Sequence, residues 1–162
     1  MSTRKEGVYW IFAERCGLND IPGSSSYDSY MKSLLICANG DNELTQAERD
    51  WIVGYASALG APDQVVEKLK TYPADEADED IDSVISRDAA ANASRRYLVY
   101  DAIRACSADG EYSSGERETV TKMAAKVGVD AEIVKQIEEI CTEEAKLREK
   151  RLALLFPTGS PL

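Results

Sequence analysis

The chain has 162 residues, and its 19 basic and 29 acidic side chains give a formal net charge of −10. This excess of negative charge repels polyanions, so neither nucleic acid nor an anionic membrane surface is expected as a general partner. The sequence contains no histidine, which excludes Ser-His and Cys-His nucleophilic catalysis and removes the commonest general base near neutral pH.

Charged residues recur along the chain, and no stretch is apolar enough for a signal peptide or a membrane span. We therefore expect a cytoplasmic protein without direct membrane insertion. The cysteines lie far apart, without a C-x-x-C pair, and each sits beside apolar residues in a helical pattern: Cys16, Cys37, Cys106 and Cys141. Such cysteines are expected to be reduced thiols in the core.

Apolar residues at helical spacing predict a succession of helices. In chain order they are expected at about residues 4–16, 27–38, 45–59, 62–72, 81–108 (in one piece or two), 113–127 and 130–155. A loop rich in Pro, Gly and Ser is expected between the first two helices, at Leu18 to Ser26. The acidic run from Pro73 to Asp80 is expected to be a solvated linker or a helix start, because like charges repel one another.

Part of the chain is repeated at a constant offset of 68 residues, since 109 − 41 and 117 − 49 both equal 68. The pattern D-x-E-x-[ST]-x-x-E-R occurs at residues 41–49 and again at 109–117. The flanking apolar residues also match, so that Leu35 corresponds to Ile103 and Ile52 to Val120. A helical hairpin cannot bury its apolar stripe alone, so the two units should pack against each other about a pseudo-twofold axis.

These patterns predict an all-α helical bundle with an internal duplication of an αα-hairpin. We expect a single domain over residues 1–156, with repeat units at about 27–72 and 95–141, followed by a mobile tail at 157–162.

Capping explains part of each repeated turn. Thr45 with Glu48, and Ser113 with Glu116, fit the S/T-x-x-E capping box, in which the hydroxyl and the carboxylate satisfy backbone groups at a helix start. The turns also contain acids that this scheme leaves unexplained, at the end of a helix where the dipole disfavours negative charge. The carboxylates in question are Asp41 and Glu43 in the first turn and Asp109 and Glu111 in the second.

Three explanations remain open for these acids. They could be turn chemistry alone, a surface for a basic partner, or ligands of a divalent cation, since calcium and magnesium prefer oxygen ligands. The candidate metal ligands are Asp41, Glu43, Glu48, Asp109, Glu111 and Glu116. An EF-hand is excluded because its loop needs glycine at the sixth position, where this chain has Gln46 and Ser114.

The segments Ala38–Thr45 with Glu48, and Ser107–Ser113 with Glu116, resemble the A-D-G-x-[hydrophobic]-[ST]-x-x-E signature of the tellurite-resistance TerB-like family. The resemblance extends from about residue 27 to residue 141. It implies a small α-helical bundle with an internal duplication, a role in tellurite and general stress resistance, and a metal bound by the six acids above. The first turn departs from the signature because Asn39-Gly40-Asp41 shifts the glycine, so equal metal affinity of the two turns is not expected.

Taken together, the residues and the resemblance indicate a non-enzymatic stress-response module whose acidic turns bind a divalent metal ion or dock a partner protein. One alternative is an interaction scaffold in which the turns only cap helices. Its working surface would be the acidic run that extends from Asp75 to Asp82, or the basic end of the last helix. A metal-assisted hydrolase is a less favoured alternative, because exposed acids need burial to reach a neutral pKa.

Overall fold

The computed structural model describes residues 3–73 and 79–162, and within these ranges every regular element is helical. The predicted fold class is therefore confirmed. The α-helices are α1 (Thr3–Ile11), α2 (Ser24–Ala38), α3 (Gln46–Ala58), α4 (Asp63–Thr71), α5 (Ile81–Ile85), α6 (Ala89–Ala93), α7 (Arg95–Cys106), α8 (Ser114–Lys126) and α9 (Ala131–Leu155). Helix α1 continues as a π-helical turn, Phe12–Cys16, which ends at Gly17 with φ 65°.

Three predicted helix starts are confirmed to within one residue. Thr45, Ser113 and Asp130 are N-cap residues, and each side chain accepts a backbone N–H from the third residue of its helix. These caps satisfy donors that the first turn of a helix leaves without an intrahelical acceptor. The local sequence thus defines where α3, α8 and α9 begin.

Two predicted boundaries are wrong. Helix α2 begins at Ser24 rather than at Tyr27, and the hydroxyls of Ser25 and Ser26 donate to Asp88 at 2.7 and 2.8 Å. The segment 81–108 forms three helices rather than one or two. The chain breaks before α6 because the Asp88 carboxylate accepts the N–H groups of the first turn of that helix.

The predicted acidic linker lies partly outside the described residues, at positions 74–78. Its described acids make specific contacts. Asp80 accepts the N–H of Ser83 and caps α5, and the Glu79 carboxylate accepts a hydrogen bond from the Tyr72 hydroxyl. This end of the run is therefore a helix start, one of the two forms expected for it.

The core forms where the two repeat units pack together. Helices α2 and α7 contact each other, and each also contacts the outgoing helix of the other unit, α8 and α3 respectively. Apolar residues at matching repeat positions are buried in this core: Met31 with Val99, Leu34 with Ala102, Leu35 with Ile103, Ala38 with Cys106, Ile52 with Val120, and Ala56 with Ala124. Helices α4, α5 and α6 pack on α2, and α9 packs on α7 and α8.

The end of the outgoing helix is also duplicated. Gly60 and Gly128 have φ values of 81° and 74°. The N–H of the next residue, Ala61 or Val129, then donates to the carbonyl of Ala56 or Ala124, at 3.0 and 2.9 Å. This is the glycine-terminated helix end known as a Schellman motif, and its recurrence indicates that both hairpins close by the same geometry.

In the described part of the chain, we find no helix with the length and apolar character that a membrane crossing requires. The cysteines are free thiols, of which Cys37 and Cys106 are buried and Cys16 and Cys141 are half-buried. Residues 157–162 follow α9 and are exposed. Their mobility stays a prediction, as does the domain boundary at 156.

Candidate functional site

The first acidic turn joins α2 to α3. Asn42 has φ 62°, and its N–H donates to the Asn39 carbonyl at 2.8 Å. The N–H of Glu43 donates to the Asp41 Oδ1 at 3.0 Å, which is an Asx turn of the kind that aspartate favours. The backbone then enters the capping box of Thr45, whose N–H donates to the Glu48 Oε2 at 2.7 Å.

The second acidic turn joins α7 to α8 and repeats this geometry. Gly110 has φ 98°, and its N–H donates to the Ser107 carbonyl at 3.0 Å. The N–H of Glu111 donates to the Asp109 Oδ1, again at 3.0 Å. In the capping box of this turn, the N–H of Ser113 donates to the Glu116 Oε2 at 2.6 Å. The sequence repeat is therefore a repeat of local structure, residue by residue.

The predicted acids divide into two groups according to what their carboxylates contact. Four are hydrogen-bond acceptors for the backbone: Asp41, Glu48, Asp109 and Glu116. The other two, Glu43 and Glu111, are exposed, and in the described part of the chain no hydrogen bond or ion pair involves their carboxylates. Turn chemistry accounts for the first group and leaves the second without a structural role.

Glu48 differs from its counterpart Glu116 in burial. Its residue is 5% exposed, whereas Glu116 is half-buried. Burial raises the pKa of Glu48, hydrogen bonds from Thr45 lower it, and the charges of Glu116 and Asp41 raise it further. The charge of Glu116, in the second turn, thus acts on the pKa of Glu48, in the first turn.

The fit of these acids to a metal ion depends on how their oxygen atoms are arranged. Over residues 3–73 and 79–162, no group of three or more Asp, Glu, Cys or His side chains converges so that it could hold an ion. The Oε2 atoms of Glu48 and Glu116 already accept backbone hydrogen bonds. The residues as arranged do not fit a metal site, and a bound divalent cation stays a prediction.

A buried polar cluster that the sequence did not indicate lies between α2, α3 and α7. The Asp101 side chain is fully buried. Its Oδ2 accepts the Tyr30 hydroxyl at 2.7 Å, and its Oδ1 lies 3.2 Å from an Arg104 nitrogen. The Arg104 guanidinium also lies over the rings of Trp51 and Tyr55, 5.1 and 5.6 Å from their centroids. The sequence feature that could have indicated this cluster is the charged Asp101 within the apolar stripe of α7.

A largely apolar cavity of about 360 Å³ opens beside this cluster. Its lining includes Phe12, Tyr27, Tyr30, Met31, Tyr97 and Asp101. The volume falls within the range of small-molecule sites, roughly 300–1,000 Å³. None of the six predicted metal ligands lines the cavity, so the acidic turns and this cavity are separate features of the molecule.

Comparison with known proteins gives one informative match. No family model matches the chain, and no curated protein matches it. Among solved structures, a tellurite resistance protein from Nostoc punctiforme is 40% identical, with a TM-score of 0.93 and alignment over 100% of both chains.

The chain is an all-α bundle built from two hairpins with matching acidic turns, which is the architecture that its resemblance to TerB-like proteins predicted. The full-length similarity to the Nostoc protein agrees with this class in both sequence and fold. The chain belongs to the tellurite-resistance TerB-like family, as the signature in its two turns predicted.

Proposed function

We propose that this protein is a non-enzymatic stress module of the tellurite-resistance type, which docks a partner protein through an anionic surface formed by its two acidic turns. The tellurite-resistance role follows the description of the Nostoc relative. The observation that carries the docking role is the exposure of Glu43 and Glu111 at equivalent positions. In the described chain their carboxylates stabilise no backbone group, so they are available to a partner.

The chemistry of the surface defines the kind of partner. Asp41 and Asp109 are also exposed, and each uses Oδ1 for its turn. Oriented carboxylates on a protein of net charge −10 favour a partner with lysine or arginine at its binding surface. Such complementarity mainly raises the rate and specificity of association.

A divalent cation is the second candidate for the same surface. In its favour, the pKa of Glu48 is raised, first by burial and in part by the charges of Glu116 and Asp41. A cation bound between the two turns would relieve this repulsion, although side chains would first have to rearrange.

The first experiment removes the unexplained charges. In a host that depends on this chain for tellurite resistance, Glu43→Gln combined with Glu111→Gln should lower resistance and leave the thermal midpoint unchanged. The matched control is Glu14→Gln combined with Glu132→Gln, which neutralises two exposed acids outside the turns and should keep resistance. Equal resistance in both double variants would refute a role for the acidic turns.

A second experiment separates docking from metal binding. Calorimetric titration of the wild-type protein with calcium, magnesium, manganese and zinc should give no saturable heat if the turns only dock a protein. A heat signal that disappears in Asp109→Asn combined with Glu116→Gln would establish the metal alternative instead. The asparagine keeps the Oδ1 acceptor of the turn, so loss of signal would report loss of charge.

A photocrosslinking residue then identifies the docking face. Placed at position 111 in cells exposed to tellurite, it should form a protein adduct, whereas the same residue at position 132 should not. Adducts of equal yield from both positions would show that capture does not depend on the turn.

A further inference from the structure

The last helix, α9, extends beyond the bundle that it helps to close. Its last side-chain hydrogen bond to another helix is made by Glu144, which accepts the Tyr100 hydroxyl at 2.6 Å. Within the described ranges, no hydrogen bond or ion pair joins residues 145–155 to another element. These residues, here called the α9 arm, project about 16 Å at 1.5 Å per residue, and only Leu152 among them is half-buried.

An apolar stripe runs along α9 into the arm. Ile140, Leu147 and Leu154 are 50%, 64% and 80% exposed, and they follow one another at intervals of seven residues. Seven-residue spacing keeps side chains on one face of a helix and is the spacing of a coiled-coil seam. Single exposed leucines are ordinary on protein surfaces, but an aligned series on a projecting helix indicates a missing partner.

Charged residues on the same face show which partner fits. Glu143 and Glu144 lie between the first two apolar positions, and Lys150 and Arg151 lie between the last two. A parallel copy of this helix would place like charges opposite each other. An antiparallel copy would place each acidic pair beside a basic pair. The helix is therefore complementary to itself in the antiparallel orientation.

We propose that two copies of this protein associate through antiparallel pairing of α9, with the two Leu147 side chains meeting at the twofold axis. In this arrangement Ile140 of one copy lies beside Leu154 of the other, and Glu143 lies beside Lys150. The contact is isologous, as in most twofold dimers. The pairing uses neither acidic turn, so it stands apart from the proposed function.

In this arrangement the arm of the second copy reaches the edge of the bundle, where it meets Ile140. The side chain of Ile140 is half-exposed and therefore accessible to that contact. Glu144 already accepts the Tyr100 hydroxyl and so lies at the border of the seam. Glu143 is exposed, and no described residue forms an ion pair with it. Burial of the apolar stripe drives the association, and the charges select its orientation.

Sedimentation equilibrium tests the dimer directly. The wild-type protein should dimerise with a dissociation constant of roughly 1 μM to 1 mM, the range of weak to moderate complexes. Leu147→Lys should weaken dimerisation more than tenfold, because the substitution occurs twice at the centre of the seam. The control, Leu18→Lys, changes a leucine that is 45% exposed and lies outside α9, and it should leave the dimer unaffected.

Charge reversal tests the orientation. Glu143→Lys and Lys150→Glu should each weaken dimerisation several-fold, because exposed ion pairs have modest strength. Both changes in one chain should restore the wild-type dissociation constant to within about twofold. All of these side chains are exposed, so circular dichroism and the thermal midpoint should confirm that each variant folds.

Three results would overturn the proposal. If the wild-type protein stays monomeric up to a concentration of about 1 mM, the apolar stripe of α9 would have to bind a different protein. A dimer insensitive to Leu147→Lys would lie elsewhere on the surface. A double charge reversal that fails to restore association would exclude the antiparallel orientation.

Discussion

At the scale of single residues, Asp101 combines full burial with a carboxyl group that is charged in water. Burial raises its pKa from 3.8 to about 6, while the hydrogen bond from Tyr30 and the charge of Arg104 act in the opposite direction. The folded protein therefore binds a proton at Asp101 more tightly than the unfolded chain does. A raised pKa of an acid makes the folded state less stable as the pH rises through the interval between the two pKa values.

This linkage gives a prediction for the pH dependence of stability. The contribution of Asp101 to the free energy of unfolding should be complete below pH 3.8 and should fall by about 3 kcal/mol as the pH rises past about 6, at 1.36 kcal/mol per pKa unit. Urea unfolding of the wild type and of Asp101→Asn, from pH 3 to pH 7, measures it. The difference between the two proteins isolates the residue, and a difference that does not vary with pH would refute the assignment.

At the scale of helices, the two matching helix ends differ in their surroundings. A Cβ at Gly60 would lie 2.5 Å from a methyl group of Val8 in α1, whereas a Cβ at Gly128 would meet nothing within 4 Å. Both glycines have positive φ values, which cost other L-residues roughly 1–2 kcal/mol. The two ends therefore share one backbone requirement, and only the first adds a packing requirement.

Alanine substitution separates these requirements. Gly128→Ala should lower the free energy of unfolding by roughly 1–2 kcal/mol through backbone strain alone. Gly60→Ala should lower it by about 1–3 kcal/mol more, because the added methyl group overlaps Val8. Chemical denaturation of both variants measures the difference. Equal losses would mean that α1 moves away from Gly60 without cost.

At the scale of the whole molecule, the first acidic turn packs directly on the second repeat unit. A Cβ at Gly40 would lie 2.7 Å from side-chain carbons of Met123 and of Thr119 in α8. Only glycine permits this close approach between the units. The shift of the glycine in Asn39-Gly40-Asp41, seen in the sequence as a departure from the family signature, thus has a packing reason.

The consequence for stability can be tested with a matched pair of alanine variants. Gly40→Ala should lower the free energy of unfolding by roughly 1–3 kcal/mol, because α8 has to move or the methyl group overlaps it. Gly54→Ala, at an exposed position of α3 with nothing within 4 Å, should raise it by roughly 0.5–1 kcal/mol. Thermal or urea unfolding measures both changes, and a stabilising Gly40→Ala would contradict the observed contact.

Local signals predicted most of the helix starts. The side chains of Thr45, Ser113 and Asp130 cap through backbone groups within three residues, so a short stretch of sequence contains all the atoms involved. The division of 81–108 into three helices could not be predicted in this way. Asp88 also accepts the hydroxyls of Ser25 and Ser26, more than 60 residues earlier in the chain.

The candidate site likewise has features that the sequence predicted and features that only the fold established. The repeat and its acids are visible in the sequence, because capping boxes and Asx turns are local structures. The burial of Glu48 and its repulsion by Glu116 depend on how the hairpins pack, and no local pattern contains that information. The buried contact between Asp101 and Tyr30 likewise joins two helices whose proximity only the fold establishes.

The sequence by itself determined the class of fold, the duplicated hairpin, the caps of α3, α8 and α9, and the family, since each depends on spacing and on interactions between near neighbours. The tertiary structure alone decided which charged groups are buried, how closely Gly40 approaches α8, and that the stripe of α9 is left uncovered. Those properties depend on the relative placement of distant segments, which is fixed by the sum of many weak packing contacts.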